Sequence, residues 1–94
     1  MINLQYEKFR DIVLKYIGKK DLLSVGIELN LWISEDRIDK MFDELYRQAA
    51  EKNLTDRFIS LIILRLKNRL EEYEKLKWRR EVDFIKSVLG QLKS

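Results

Sequence analysis

The sequence predicts an all-α fold: a small helical bundle of four to five helices with a long C-terminal helix, in a single domain of 94 residues. Three observations carry this. Apolar residues recur at helical spacing through most of the chain. Proline is absent and there are only three glycines, so little interrupts a helix. One stretch, Asp56-Arg57-Phe58-Ile59-Ser60-Leu61-Ile62-Ile63-Leu64-Arg65-Leu66, is apolar on nearly every side and requires cover from other helices. It reads as the central post of the bundle.

The first helix is expected from Ile2 to Ile17. Ile2, Tyr6, Phe9, Val13 and Tyr16 step by four and three, with Ile12 and Ile17 widening the stripe. Gly18 is placed to end it as a left-handed cap. A second helix, Asp21 to Asn30, is so rich in Leu22, Leu23, Val25, Ile27 and Leu29 that little polar surface remains. Its Gly26 costs about 1 kcal/mol against alanine, which a close neighbour would explain. Leu31-Trp32-Ile33 then forms an apolar connector.

A third helix is expected from Ser34, a good N-cap, with Glu35 and Asp36 in its first turn. Ile38, Met41, Phe42, Leu45, Tyr46, Ala49 and Ala50 form its inner face. Asp36, Asp39, Lys40, Asp43, Glu44 and Arg47 face outward, and this acidic surface complements the basic C-terminal segment. The post follows, with Thr55 as its N-cap and Ile59, Ile63, Leu66, Leu70 and Tyr73 at heptad spacing.

Beyond Tyr73 the phase breaks. Trp78, Val82, Ile85, Leu89 and Leu92 again step by four and three. The five residues from Tyr73 to Trp78 turn a helix by about 500°, leaving the second stripe roughly 140° off the first. No glycine or proline lies between Tyr73 and Val82, which favours a continuous or gently bent helix over a kink near Lys77.

Composition limits the chemistry. Without histidine or cysteine there is no Ser-His or Cys-His nucleophile, and cysteine can neither bridge nor bind metal. Glu71, Glu72 and Glu74 lie among Lys75 and Lys77 as a solvated helix face. No catalytic, cofactor or metal residues are expected. The longest apolar run, Phe58 to Leu64, is far short of the roughly 20 residues of a membrane span, and residues 1–5 lack a leader's layout. The expectation is a non-enzymatic cytoplasmic protein without membrane association. Enrichment in Lys, Glu and Arg is thermophile-like.

Leu22 through Leu45 is similar to the helix-turn-helix of transcription regulators, with Ser34 and Ile38 at the turn and core positions. It departs at Glu28, where that motif takes a small residue. Its second helix would also offer Glu35, Asp36, Asp39 and Asp43 against Arg37 and Lys40 to a phosphate-lined groove.

Two readings of function remain. The first is a protein-binding module, adaptor or self-associating, whose outward C-terminal stripe of Trp78, Val82, Ile85 and Leu89 meets a protein partner or a second copy. A dimer would then complete the bundle. The alternative is a small basic DNA- or RNA-binding accessory protein. Residues 1–53 carry nine Lys/Arg and ten Asp/Glu, net −1, and residues 54–94 carry ten and six, net +4. Arg65, Arg69, Lys75, Lys77, Arg79 and Arg80 concentrate that charge around Trp78, where phosphates and a base could be met.

Overall fold

A computed structural model describes residues 5–93 and, among them, five helices and no strand. Ile2 of the first stripe and the Leu92 side chain of the last lie outside what is described. The helices are α1 (Gln5–Tyr16), α2 (Lys19–Glu28), α3 (Ile38–Glu51), α4 (Thr55–Leu76) and α5 (Arg79–Lys93). The expected post is α4, and it packs against each of the other four. Phe58, Ile62 and Leu66 are fully buried along it, while Ile59, Leu61, Ile63 and Leu70 are partly covered. Of the apolar residues in this stretch, Leu64 alone stays exposed.

The other helices close on α4 with their expected faces. α1 contributes Phe9 and Val13, with Ile17 just past its end, α2 Leu22 and Val25, with Leu29 at its C-cap, and α3 Met41, Phe42, Leu45 and Ala49. Phe42 is the hub of the aromatic contacts, edge-on to Phe58 at 5.4 Å and to Phe9 at 6.1 Å. Edge-to-face rings of this kind add about 0.5–1.5 kcal/mol to the burial of their area.

Several boundaries differ from expectation, each for a local reason. Gly18 is extended (φ −99°, ψ 177°), not left-handed. It serves as N-cap of α2, its N–H donating to the Asp21 carboxylate at 3.2 Å, because α2 follows α1 directly. Ser34 does not cap α3, which begins four residues later behind Arg37. Instead Glu44, reaching back from α3, accepts from the Ser34 hydroxyl at 2.7 Å and the Ser34 N–H at 2.9 Å. Gln48 exchanges hydrogen bonds with the Trp32 backbone in both directions. Residues 29–37 are thereby strapped along α3 as a non-helical connector. The short turn that the helix-turn-helix resemblance needs is absent. At the start of α4 the capping position is Leu54, not Thr55.

The acidic outer face of α3 finds its partner on α1, not on the C-terminal segment. Arg10 Nε lies 2.8 Å from the Asp43 carboxylate and its Nη2 3.7 Å from Asp39. The Tyr6 hydroxyl donates to Asp43 at 2.8 Å.

The largest departure is at the end of α4. The helix is neither continuous nor gently bent: Lys77 is left-handed (φ 62°, ψ 33°) and the chain folds back as α5. The same device closes three helices. After α2 the Leu31 N–H reaches the Gly26 carbonyl (2.8 Å) and Asn30 reaches Ile27 (3.1 Å). After α3 Leu54 reaches Ala49 (2.7 Å) and Asn53 reaches Ala50 (3.3 Å). After α4 Trp78 reaches Tyr73 (3.0 Å) and Lys77 reaches Glu74 (3.1 Å). These are Schellman pairs, in which the residue past the helix contacts one five positions earlier. The interval from Tyr73 to Trp78 is that interval, so the phase slip was itself the stop signal. Asparagine holds the first two left-handed positions, as its local hydrogen bonding favours. Lysine holds the third and gives no such warning.

Gly26 is tolerated for the expected reason. A Cβ there would stand 2.9 Å from Cδ1 of Ile33 and 3.2 Å from Cδ2 of Leu45. Gly26→Leu is expected to cost about 1–3 kcal/mol despite its better helix propensity, because the connector and α3 must both move. The midpoint of urea unfolding measures this.

Candidate nucleic-acid interface

The α4–α5 turn gathers aromatic and basic side chains at one end of the bundle. Trp78 stacks on Tyr73, with centroids 5.2 Å apart and planes 22° apart. This is the apolar contact that accompanies a Schellman motif, and it helps hold Lys77 in its unfavourable conformation. Tyr73 is edge-on to Tyr16 of α1 at 5.9 Å, and Tyr16 meets Phe84 of α5 at 6.0 Å. Lys15 lies over the Phe84 ring at 5.3 Å. The Tyr16 hydroxyl donates to Glu81 at 3.0 Å. A shallow groove lined by Lys15, Tyr16, Tyr73, Arg80, Glu81 and Phe84 runs beside the stack. Trp78 keeps 52% of its surface exposed, so with one face on Tyr73 the opposite face is open to solvent.

The six expected basic residues divide into two groups. Arg65 and Arg69 belong to the framework. Arg65 Nη2 donates to the Ser24 hydroxyl of α2 at 2.7 Å. Arg69 joins three helices: its Nε donates to the Tyr16 carbonyl at 2.8 Å, its Nη2 pairs with Asp21 at 2.9 Å and its Nη1 with Glu72 at 3.2 Å. Lys75, Lys77, Arg79 and Arg80 are exposed and make no ion pair with the described residues. They occupy a six-residue run, Lys75 to Arg80, that contains no acid. The nearest carboxylates are largely engaged, Glu72 with Arg69, Glu74 with Lys86 at 3.7 Å, and Glu81 with Tyr16. Glu71 and Asp83 remain exposed at either side.

The expected protein-binding stripe does not reach the surface as a stripe. Ile85 is 1% and Leu89 7% exposed, both packed into the core together with Val88. Val82 is half-buried, and only Trp78 is freely accessible. The reversal at Lys77 explains this, since it turns the face of α5 onto α4. Exposed apolar surface lies elsewhere: Leu76 and Phe84 beside Trp78, and Leu23, Ile27, Trp32 and Leu64 away from it. Leu23 and Ile27 were visible in the sequence as an i,i+4 pair on a helix with too little polar surface. Among the described residues there is no acidic cluster able to hold a metal ion, and no helix long and apolar enough to cross a membrane.

The chain matches no known protein family, no curated protein and no solved structure.

The Arg69 contacts predict a division among the arginines. Arg69→Met should cost about 2–3 kcal/mol, because charged hydrogen bonds to α1 and α2 are lost together. Arg80→Met should stay within about 0.5 kcal/mol. Denaturant titration of the two variants checks both values.

A second expectation concerns alkaline pH. Burial first, then the hydrogen bond to the Glu81 carboxylate, push the Tyr16 phenol up to about 12. Burial and Asp43 raise Tyr6 as well. A phenol whose folded pKa exceeds its unfolded value contributes stability that is complete below about pH 10. That contribution disappears as pH rises through the folded value. Unfolding midpoints should therefore fall between about pH 10 and pH 12, and the fall should be shallower with phenylalanine at Tyr6 and Tyr16.

Proposed function

We propose that this protein binds single-stranded nucleic acid at the α4–α5 turn. The observation that supports the reading is the pairing of an open Trp78 face with four cations that make no ion pair with the described residues, Lys75, Lys77, Arg79 and Arg80, in a run free of acids. An unstacked base lies on the outer face of Trp78, which Tyr73 backs from beneath. The cations meet the phosphates on either side. Stacking of one base on an aromatic ring is worth about 1–3 kcal/mol, and it needs no particular base. A paired base has no free face to offer, so a single strand is favoured over a duplex. The helix-turn-helix route has no part in this, because residues 29–37 do not form its turn. Nor does the C-terminal stripe as a protein contact, since Ile85 and Leu89 lie in the core.

Lys77 adds to the argument. A left-handed lysine costs roughly 1 kcal/mol relative to glycine at such a position. Its charge falls at the centre of the basic run, where a glycine or asparagine would contribute none.

Fluorescence anisotropy with a labelled oligothymidylate tests the reading. Binding should weaken with salt, with a slope of about −3 in log K against log[salt] for four phosphate contacts. Trp78→Leu keeps an apolar contact on Tyr73 but removes the stacking plane, and should weaken binding at least about fivefold. Lys77→Gly should raise thermal stability while lowering affinity and the salt slope. Absence of binding at low salt overturns the proposal. So does an affinity that Trp78→Leu leaves unchanged, or a preference for anionic vesicles over oligonucleotide.

A further inference from the structure

We infer that α2 is a self-association surface, and that a second copy of this chain docks on it antiparallel about a two-fold axis. The uncovered apolar face on α2 is separate from the proposed nucleic-acid surface at the α4–α5 turn. Leu23 is 44% and Ile27 79% exposed, one helical turn apart, although both are large aliphatic side chains. With Lys20, Ser24 and Glu28 they line one shallow surface drawn entirely from α2.

The charges at its two ends indicate the occupant. Lys20 stands near the N-terminus of α2 and Glu28 is its last residue, about 12 Å apart along the helix axis. Both are exposed, and neither makes an ion pair with the described residues. Each also has the wrong sign for its own helix. A cation near the N-terminus and an anion at the C-terminus both oppose the macrodipole. Against an antiparallel copy the signs become favourable. Lys20 of one copy faces Glu28 and the helix C-terminus of the other, and the symmetry makes the pair twice. Leu23 and Ile27 then meet the same two residues of the second copy between the charged ends. The surface is thus self-complementary, as an isologous interface requires. A parallel arrangement would set lysine against lysine and glutamate against glutamate.

The patch is small, so association is expected in the micromolar range or weaker. Sedimentation velocity from about 10 μM to about 1 mM of the intact chain should show a concentration-dependent shift from monomer to dimer. Ile27→Asp should abolish the shift while leaving the thermal melt nearly unchanged, because the side chain is exposed in the folded monomer. Lys20→Glu and Glu28→Lys should each weaken the dimer by about ten- to a hundredfold, since both symmetry-related pairs become repulsive. Mixing those two variants re-creates opposite charges at both ends, and a heterodimer should form with nearly the affinity of the parent. A strict monomer over the whole range overturns the inference and leaves the face to a partner of different sequence. A dimer indifferent to either charge reversal, or one that mixing fails to restore, overturns the antiparallel α2 arrangement.

Discussion

The structure depends on the need to cover α4 on more than one side. A helix carrying Phe58, Ile59, Leu61, Ile62, Ile63 and Leu66 cannot be satisfied by a single neighbour. α1, α2 and α3 cover part of it, and α5 supplies further cover because the chain reverses at Lys77. That reversal has a cost, a non-glycine residue in left-handed conformation, at a turn without proline or glycine. Two Schellman hydrogen bonds, the stack of Trp78 on Tyr73 and the burial of Ile85, Val88 and Leu89 offset it. The turn and the core are therefore one energetic unit.

Polar contacts then fix how the helices sit around the post. Arg69 ties α4 to the Tyr16 carbonyl of α1 and to Asp21 of α2, close to the Gly18 turn. Arg10 and Tyr6 tie α1 to Asp43 on α3, and Glu44 and Gln48 hold the long connector against α3. Apart from Arg69, whose part-buried bonds to α1 and α2 act together, most of these groups are partly solvated, so each pair contributes little to stability. Their larger effect is on orientation, and on which charges remain available. A carboxylate already bound by Arg69, Lys86 or Tyr16 is less able to neutralise the run from Lys75 to Arg80.

The candidate surface was half legible. The cluster of basic residues around Trp78 stood out because charge is a local property of the sequence. Which of those residues serve the framework was not legible. Arg65 and Arg69 share a charge with Arg79 and Arg80, and only the proximity of Ser24, Asp21 and the Tyr16 carbonyl separates them. The heptad spacing of Val82, Ile85 and Leu89 marks one face of α5, whereas Trp78 precedes that helix and stacks on Tyr73. The direction of that face depended on a single backbone conformation at Lys77, where the side chain carries no turn signal. The partner of Tyr73 was likewise hidden in an interval of five, which reads as a helical phase slip unless the reversal is already known.

By itself the sequence determined that this chain is helical, where most of its helices lie, which faces they bury, and that Asp56 to Leu66 forms the centre. Those properties follow from apolar periodicity and from the absence of breakers, both of which act over one or two turns. Tertiary structure decided what no local pattern encodes: the reversal after Leu76, the loss of Ile85 and Leu89 to the core, and the exposure of Trp78, Leu23 and Ile27. The physical reason is that an apolar face is satisfied by whichever neighbour reaches it first in space. Past Tyr73 that neighbour is α5 of the same chain, and along the outer side of α2 there is none among the described residues.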